Sequence, residues 1–168
     1  MSIDLKHISR LKKLLYMIAV SAPMKPNISK LSAAIEVSRQ PISQYLDYLK
    51  HAALVNLVRS AKRGHGFLAK PENVLLHNTN LAYTIAQENW HTGTIRETFF
   101  VNQISQHHDI LAPDRGDFLV DETWTIEVGG QNKDHCQIAG IDNAYIAADD
   151  IETGQDQRVP LWRFGFLA

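Results

Sequence analysis

Charge is separated along the chain into a basic N-terminal part and an acidic remainder. Residues 1–75 carry twelve basic and four acidic side chains, a formal charge of +8, and the rest carry five basic and fourteen acidic ones, a formal charge of −9. Such a split predicts two modules with different partners, of which only the first is suited to phosphate. The alternative is that the halves attract each other and the asymmetry serves their contact. The simplest division gives domains 1–77 and 78–168.

Composition sets the class of protein. Hydrophobic residues make up 45% and charged residues 21% of the 168 residues, which is typical of a chain that folds around a core. The single cysteine, Cys136, excludes an intramolecular disulfide framework and favours a reducing compartment. No apolar run approaches the roughly 20 residues that span a bilayer. We therefore expect a cytoplasmic protein with no membrane anchor.

Apolar spacing predicts three helices in the first domain. A first helix ends before Pro23, a short second helix is capped by Asn27, and a third is capped by Ser38. The last two form a helix-turn-helix, whose second helix reads DNA in proteins that use this motif. Its exposed face would present Arg39, Gln40, Ser43, Gln44 and Asp47. An ordinary helical hairpin with a solvated face is the alternative.

A β-hairpin follows the helices and completes a winged helix-turn-helix. The pattern predicts a strand over 54–59, a basic turn over 60–66 and a returning strand over 67–70. Lys62 and Arg63 at the tip would contact a DNA phosphate or the minor groove. The alternative is that the winged helix binds another protein and the charged tip is a solvated loop.

The second domain has the pattern of a small α/β unit in the order αβββαβ. The helices are predicted over 94–106 and 132–141, and the strands over 109–112, 116–120, 124–128 and 144–148. A helical crossover before the last strand predicts a mixed sheet. The closing apolar segment, which we expect to dock on this sheet or on a partner, contains Leu161, Trp162, Phe164, Phe166 and Leu167.

Two carboxylates in this domain are candidates for chemistry. If Phe118 and Val120 oppose Ile126 and Trp124, the same register sets Asp117 opposite Glu127. Directly paired side chains lie about 5 Å apart at Cβ, so the two could share a divalent cation such as Mg²⁺. Glu97 would join them from the preceding helix. The alternative is two solvated carboxylates on an open strand face.

Several longer stretches carry a resemblance to a known family. They are LLYMIAVSAPMKPNISKL, LAKPENVLLHNTNLAY, GTIRETFFVNQ, GDF, EVGG and VPLWRFGFL. With these stretches the chain resembles, over nearly its whole length, the C-terminal region of bacterial AAA-type ATPases, a winged helix followed by a nuclease-like domain of unknown function. The resemblance implies that the second domain is similar to the PD-(D/E)xK restriction-endonuclease-like fold. The family's ATPase domain would precede Met1, so we expect this chain to lack it.

The resemblance also assigns roles, with one departure. It supports Asp117 and Glu127 as metal ligands, but Gly129 stands where such nucleases have a lysine, and Lys133 is the nearby candidate to replace it. We therefore expect an inactive nuclease-like domain in a module that binds DNA and a partner, either an AAA-type ATPase domain or a second copy of this chain. The alternative is a metal-dependent DNA nuclease that uses Asp117, Glu127 and Lys133.

Replacing Lys62 and Arg63 with alanine should make DNA binding weaker and less sensitive to salt. Each phosphate contact releases counterions from the DNA, so losing a contact reduces the number released on binding. The slope of log affinity against log salt should become shallower by about one unit per contact. Fluorescence anisotropy titrations at several salt concentrations measure it. An unchanged slope would show that the hairpin tip does not touch DNA.

Overall fold

The computed structural model describes residues 5–62 and 70–167. It begins with three helices, α1 (Leu5–Ala19), α2 (Ile28–Ala34) and α3 (Gln40–His51). The predicted cap of α2 is confirmed, since the side chain of Asn27 accepts a hydrogen bond from the backbone N–H of Lys30. The turn between α2 and α3 contains Glu36 at a φ of 56°.

The start of α3 differs from the prediction. Arg39 rather than Ser38 is the capping residue, and its side chain makes no capping hydrogen bond. Pro41 in the first turn has no N–H to satisfy, which lowers the need for a side-chain cap. The predicted buried face is confirmed at Ile42, Leu46 and Leu49, whereas Ala53 lies beyond the helix and is exposed.

An antiparallel pair of strands follows the helices. Strand β1 (Val55–Ser60) pairs with β2 (Asn73–Leu76), with Val55 opposite Leu76 and Val58 opposite Asn73. Within the described residues the partner of β1 is therefore at 73–76, where the apolar run at 74–76 supplies the buried side chains. Residues 63–69, including Arg63 and most of that predicted strand, lie outside the described residues.

The connection to the second half is helical. Asn78 caps α4 (Thr79–Leu81), which continues through a π-helical turn (Ala82–Ala86) and a 3-10 turn (Gln87–Asn89). Helix α5 (Thr92–Ile104) follows, close to its predicted position. Within residues 5–62 and 70–167, no helix combines the length and the apolar character that crossing a membrane requires.

The remaining strands extend the first pair into one mixed sheet. They are β3 (Ile110–Ala112), β4 (Phe118–Val120), β5 (Trp124–Gly129), β6 (Ala144–Ala148) and β7 (Arg158–Pro160). The seven described strands lie in the order β2-β1-β3-β4-β5-β6-β7. The pairs β1–β3, β5–β6 and β6–β7 are parallel, and β3–β4 and β4–β5 are antiparallel. The chain is thus a mixed α/β protein.

The helix predicted over 132–141 is wrong, so the order αβββαβ is not formed. Turns and bends occupy this crossover between β5 and β6. Its carbonyl groups accept hydrogen bonds from two arginine side chains instead of from a helical ladder. Arg115 donates to Gln137 and Ala139, and Arg158 donates to Gln131 and Lys133. Ile138 is its one fully buried apolar side chain, too few to hold an amphipathic helix against the sheet.

Two hydrophobic clusters lie on either side of β1 and β2. Val74 and Leu76 pack with α1, α2 and α3, whereas Leu75 packs in the second cluster, whose centre is Phe100 of α5. Phe100 stacks on Phe118 at a ring-centroid distance of 5.4 Å and meets Phe164 edge-on at 5.0 Å. Phe164 belongs to a closing 3-10 helix (Leu161–Phe166). This segment docks on the second cluster through Leu161 and Phe164, whereas Trp162, Phe166 and Leu167, which were also expected to be covered, are exposed.

The closing helix offers two phenylalanines with opposite exposure. Phe164 is 9% exposed and Phe166 is 79% exposed. Phe164→Ala should lower the free energy of unfolding by about 3 kcal/mol, because it removes a ring from the second cluster. Phe166→Ala is the matched control and should change it by less than about 0.5 kcal/mol. Urea unfolding measures both, and equal effects would mean that the segment does not pack as described.

Candidate functional site

Asp117 lies at the start of β4 and is held against β5. The predicted register is confirmed, with Phe118 opposite Ile126 and Val120 opposite Trp124. The backbone N–H of Asp117 donates to the carbonyl of Ile126 at 3.0 Å. Its Oδ2 accepts a hydrogen bond from the backbone N–H of Val128 at 2.8 Å. The carboxylate is therefore fixed beside Glu127, the neighbour of Val128.

Glu127 is the most deeply buried charged residue of the site. It sits within β5, between β4 and β6, and is 0% exposed. The Nζ of Lys133 lies 2.6 Å from its Oε1, in the arrangement of an ion pair. Its Oε2 has no hydrogen-bond partner within the described ranges. A buried carboxylate oxygen in that state is costly, by about 1–3 kcal/mol, unless a ligand satisfies it.

Lys133 reaches Glu127 by crossing directly over Gly129. A Cβ atom on Gly129 would lie 2.6 Å from the Cγ of Lys133, which no real side chain tolerates. Position 129 therefore has to be glycine for the Lys133 stem to lie where it does. The stem occupies the space next to β5 that a side chain at position 129 would otherwise enter.

Arg158 of β7 holds the backbone of the Lys133 segment. Its guanidinium donates to the carbonyl of Gln131 at 2.9 Å and also to the carbonyl of Lys133. On α5, Arg96 makes two ion pairs of 2.8 Å, with Asp149 and Asp150 at the end of β6. Together the two arginines tie the loop and the start of α5 to the same end of the sheet.

Burial raises the pKa of all three carboxyl groups. It raises the pKa of Glu97 to about 7, with further contributions from Asp117 and Glu127 that outweigh the opposing effect of Lys133. Burial also raises the pKa of Asp117 against the hydrogen bond from Val128, and that of Glu127 against the contact with Lys133. Glu97, which projects from α5, therefore belongs to the same electrostatic group as the two strand carboxylates.

The pKa of Lys133 is raised as well. Its burial lowers this pKa, but the contact with Glu127 and the charges of Asp117 and Glu97 outweigh that effect. The lysine therefore stays protonated throughout the neutral range. Its charge offsets only part of the negative charge of the three carboxyl groups, so a further cation would be attracted.

The carboxylates are suited to a divalent cation that takes only one or two of its ligands from protein side chains. In the part of the chain that the structure describes, no three His, Cys, Asp or Glu side chains come together as a metal-binding group. Mg²⁺ needs fewer, since it is commonly bound by one or two carboxylates together with water and substrate phosphate. Asp117 and the unpartnered Oε2 of Glu127 are suited to that role. A contribution from Glu97 to the metal stays a prediction.

The site opens into a groove. Glu97 and Asp117 line a groove of about 330 Å³ together with residues of the segment between α1 and α2, among them Lys25. The lining also includes Gly116, whose φ of 83° allows the tight turn before Asp117. A ligand can therefore reach Asp117 and Glu97 from solvent along a wall that the first half of the chain provides.

The residues predicted to contact DNA lie on the surface. Arg39, Gln40, Ser43 and Gln44 are exposed at the start of α3, as the apolar spacing indicates. Lys62 is exposed and pairs with Asp114 at 3.0 Å, and Arg63 lies outside the described residues. The polar face at the start of α3 does not line the groove at Asp117 and Glu97, whereas Lys62 lines a neighbouring groove.

Sequence reasoning missed three residues that shape the site. They are Lys25, which lines the groove, Arg96, which fixes the start of α5, and Arg158, which holds the Lys133 segment. Each acts on groups more than twenty residues away in the sequence. Local spacing carries no signal for such contacts.

Comparison of this chain with known protein families, with curated proteins and with solved structures gives no match.

The shifted pKa of Glu97 makes a testable contribution to stability. Folding raises this pKa from 4.5 to about 7, so the folded chain holds a proton that the unfolded chain releases. Its stabilising effect is present below pH 4.5 and is lost as the pH rises to about 7. Glu97→Gln stays neutral, and at pH 8 without divalent ions it should be more stable than the parent by about 2 kcal/mol.

Urea unfolding at pH 4.5 and pH 8 checks this expectation. Glu97→Gln should match the parent at the lower pH and exceed it at the higher one. Glu88→Gln, at an exposed position just before α5, is the matched control and should follow the parent at both. A Glu97→Gln variant that is less stable at pH 8 would show that the ionised group is the favoured one.

Proposed function

We propose that the chain is a metal-dependent nuclease that cleaves DNA at the Asp117, Glu127 and Lys133 site. One observation favours an active nuclease over the inactive nuclease-like domain expected from the sequence. Lys133 crosses the position of Gly129, where nucleases of the resembling fold have their lysine, and its Nζ reaches the buried Glu127 at 2.6 Å. This placement supports Lys133 as the replacement for the lysine that the motif would have at position 129.

The donor set accounts for the binding of the metal. Asp117 and Oε2 of Glu127 would hold Mg²⁺, because both are carboxylates and Oε2 has no partner among the described residues. When bound, the ion supplies a Lewis acid that polarises the phosphoryl oxygen and makes water a better nucleophile at neutral pH. Val128 keeps Asp117 oriented by donating its backbone N–H.

Lys133 and Glu97 would have different roles. The raised pKa of Lys133 keeps it protonated, so it stabilises negative charge that develops on the phosphate and does not act as a base. Glu97 faces the groove with a pKa of about 7, which suits a group that takes up and releases a proton at neutral pH. Two ionisable groups with such different pKa values can serve the two needs of phosphodiester hydrolysis, which are stabilisation of negative charge and transfer of a proton.

DNA is the favoured substrate because of the first half of the chain. Its formal charge of +8 and the exposed polar face at the start of α3 suit a nucleic-acid backbone and its base edges. The resemblance to AAA-type ATPase C-terminal regions supports a winged helix in this half and a partner for the chain. That partner would be an AAA-type ATPase domain or a second copy of this chain. Cleavage would still take place at the Asp117, Glu127 and Lys133 site.

Removing the lysine at position 133 and placing one at position 129 tests the proposal. Lys133→Ala should lower Mg²⁺-dependent cleavage of a labelled duplex by at least about a hundredfold, since it removes a charge next to the reacting phosphate. The double variant Gly129→Lys, Lys133→Gly should recover part of this activity. Glycine at position 133 removes the Cβ, Cγ and Cδ atoms of Lys133, which lie 2.6–2.7 Å from where a Cβ on residue 129 would be, and so frees the space that the new side chain needs. Lys12→Ala, on the exposed face of α1, is the control and should cleave like the parent.

Two outcomes would contradict the proposal. Cleavage that is equal in Lys133→Ala and in the parent would place the chemistry elsewhere. A parent protein that binds DNA but cleaves neither single-stranded nor duplex DNA with Mg²⁺ would be a non-catalytic module for DNA and a partner. Thermal unfolding of each variant separates loss of activity from loss of fold.

A further inference from the structure

A second groove adjoins the one that leads to the carboxylates. It has a volume of about 420 Å³ and shares Lys25, Glu72, Ala112 and Pro113 with the first groove. Its remaining lining comes from Ser60, Lys62, Lys70 and Asp114. The two grooves therefore form one path, which has lysines at one end and Asp117 and Glu97 at the other.

Both halves of the chain build this path, and backbone hydrogen bonds hold its walls. The segment that carries Lys25 is tied to β2, because Met24 and Val74 exchange two hydrogen bonds of 3.1 and 2.9 Å. The end of β1 is tied to β3 through the N–H of Ala61 and the carbonyl of Ala112, at 2.8 Å. Lysines from the first half thus face the same groove as carboxylates from the second.

The lysines of the path are free to exchange their present partners for phosphate. Lys25 pairs with Glu72 and Lys62 with Asp114, each at 3.0 Å and each in an exposed setting. Exposed ion pairs of this kind contribute about 0–1 kcal/mol, so a phosphate group can displace them. Lys70 is exposed at the same end. This end suits a polyanion, and the other end suits the metal ion that would act on it.

We infer that a DNA strand reaches the carboxylate site along this path, with its phosphates bound by Lys25 and Lys70. The inference rests on the proposed function for the identity of the far end, but it assigns a contact surface distinct from the exposed face of α3. The strand is held by its backbone rather than by its bases, because the described residues that line the groove present ammonium groups and no aromatic side chain. Binding along the path does not require cleavage.

The test measures DNA affinity without metal. The full chain, the variant Lys25→Gln with Lys70→Gln, and the control Lys12→Gln with Lys13→Gln are titrated in EDTA against a labelled single strand and a labelled duplex. Both double variants lose the same charge, and the control residues are exposed on α1. The groove variant should bind about tenfold more weakly, with a salt slope shallower by about 1.5 units, whereas the control should bind within about twofold of the parent.

Amine-reactive footprinting gives an independent readout on the unmutated chain. Bound DNA should protect Lys25 and Lys70 from acetylation and leave Lys12 and Lys13 reactive. Equal affinity in the two double variants, protection confined to other lysines, or no DNA binding by the parent would each overturn the inference. Protection of Lys25 and Lys70 in a chain that never cleaves DNA would uphold the inference while the proposed nuclease activity fails.

Discussion

Strand β1 pairs along both of its edges and thereby joins the two halves of the chain. It is antiparallel to β2 on one side and parallel to β3 on the other, so the seven described strands form a single sheet. β2, its neighbour at the end of the sheet, is buried on both faces, with Val74 and Leu76 towards the helical half and Leu75 towards Phe100. The basic half therefore lies against the acidic half, and the groove between them has lysines on one wall and carboxylates on the other.

A buried carboxylate at the centre of β5 organises the site. Glu127 is costly in a sheet interior unless a cation is near, and Lys133 provides one through a loop of fourteen residues between β5 and β6. That loop has no helix to hold it, so Arg158 and Arg115 bind its carbonyl groups. The absence of the expected crossover helix and the position of Lys133 are consequences of the same loop. A helix there would have carried Lys133 on a regular surface rather than across Gly129.

Part of the site could be predicted from residue spacing alone. Alternation of apolar residues set Phe118 against Ile126, and that register brings Asp117 next to Glu127. The contact of Lys133 with Glu127 could not be predicted from residue spacing, because it depends on the path of an irregular loop over Gly129. The burial of Glu127 was also missed, because the sequence predicts the strand at 144–148 but shows neither that it pairs with β5 nor that β7 follows it in the sheet.

Elements with local signals can be predicted from the sequence alone. These are the three N-terminal helices with the Asn27 cap, α5, the strands around Asp117 and Glu127, and the unequal charge of the two halves. The segments that meet in space, by contrast, are known only from the folded chain. The pairing of β1 with β3, the shared groove at Lys25, and the hold of Arg158 on Lys133 join residues 25 to 92 positions apart. Such contacts form because they bury apolar strands and satisfy backbone groups in three dimensions, and periodicity along the chain carries no record of them.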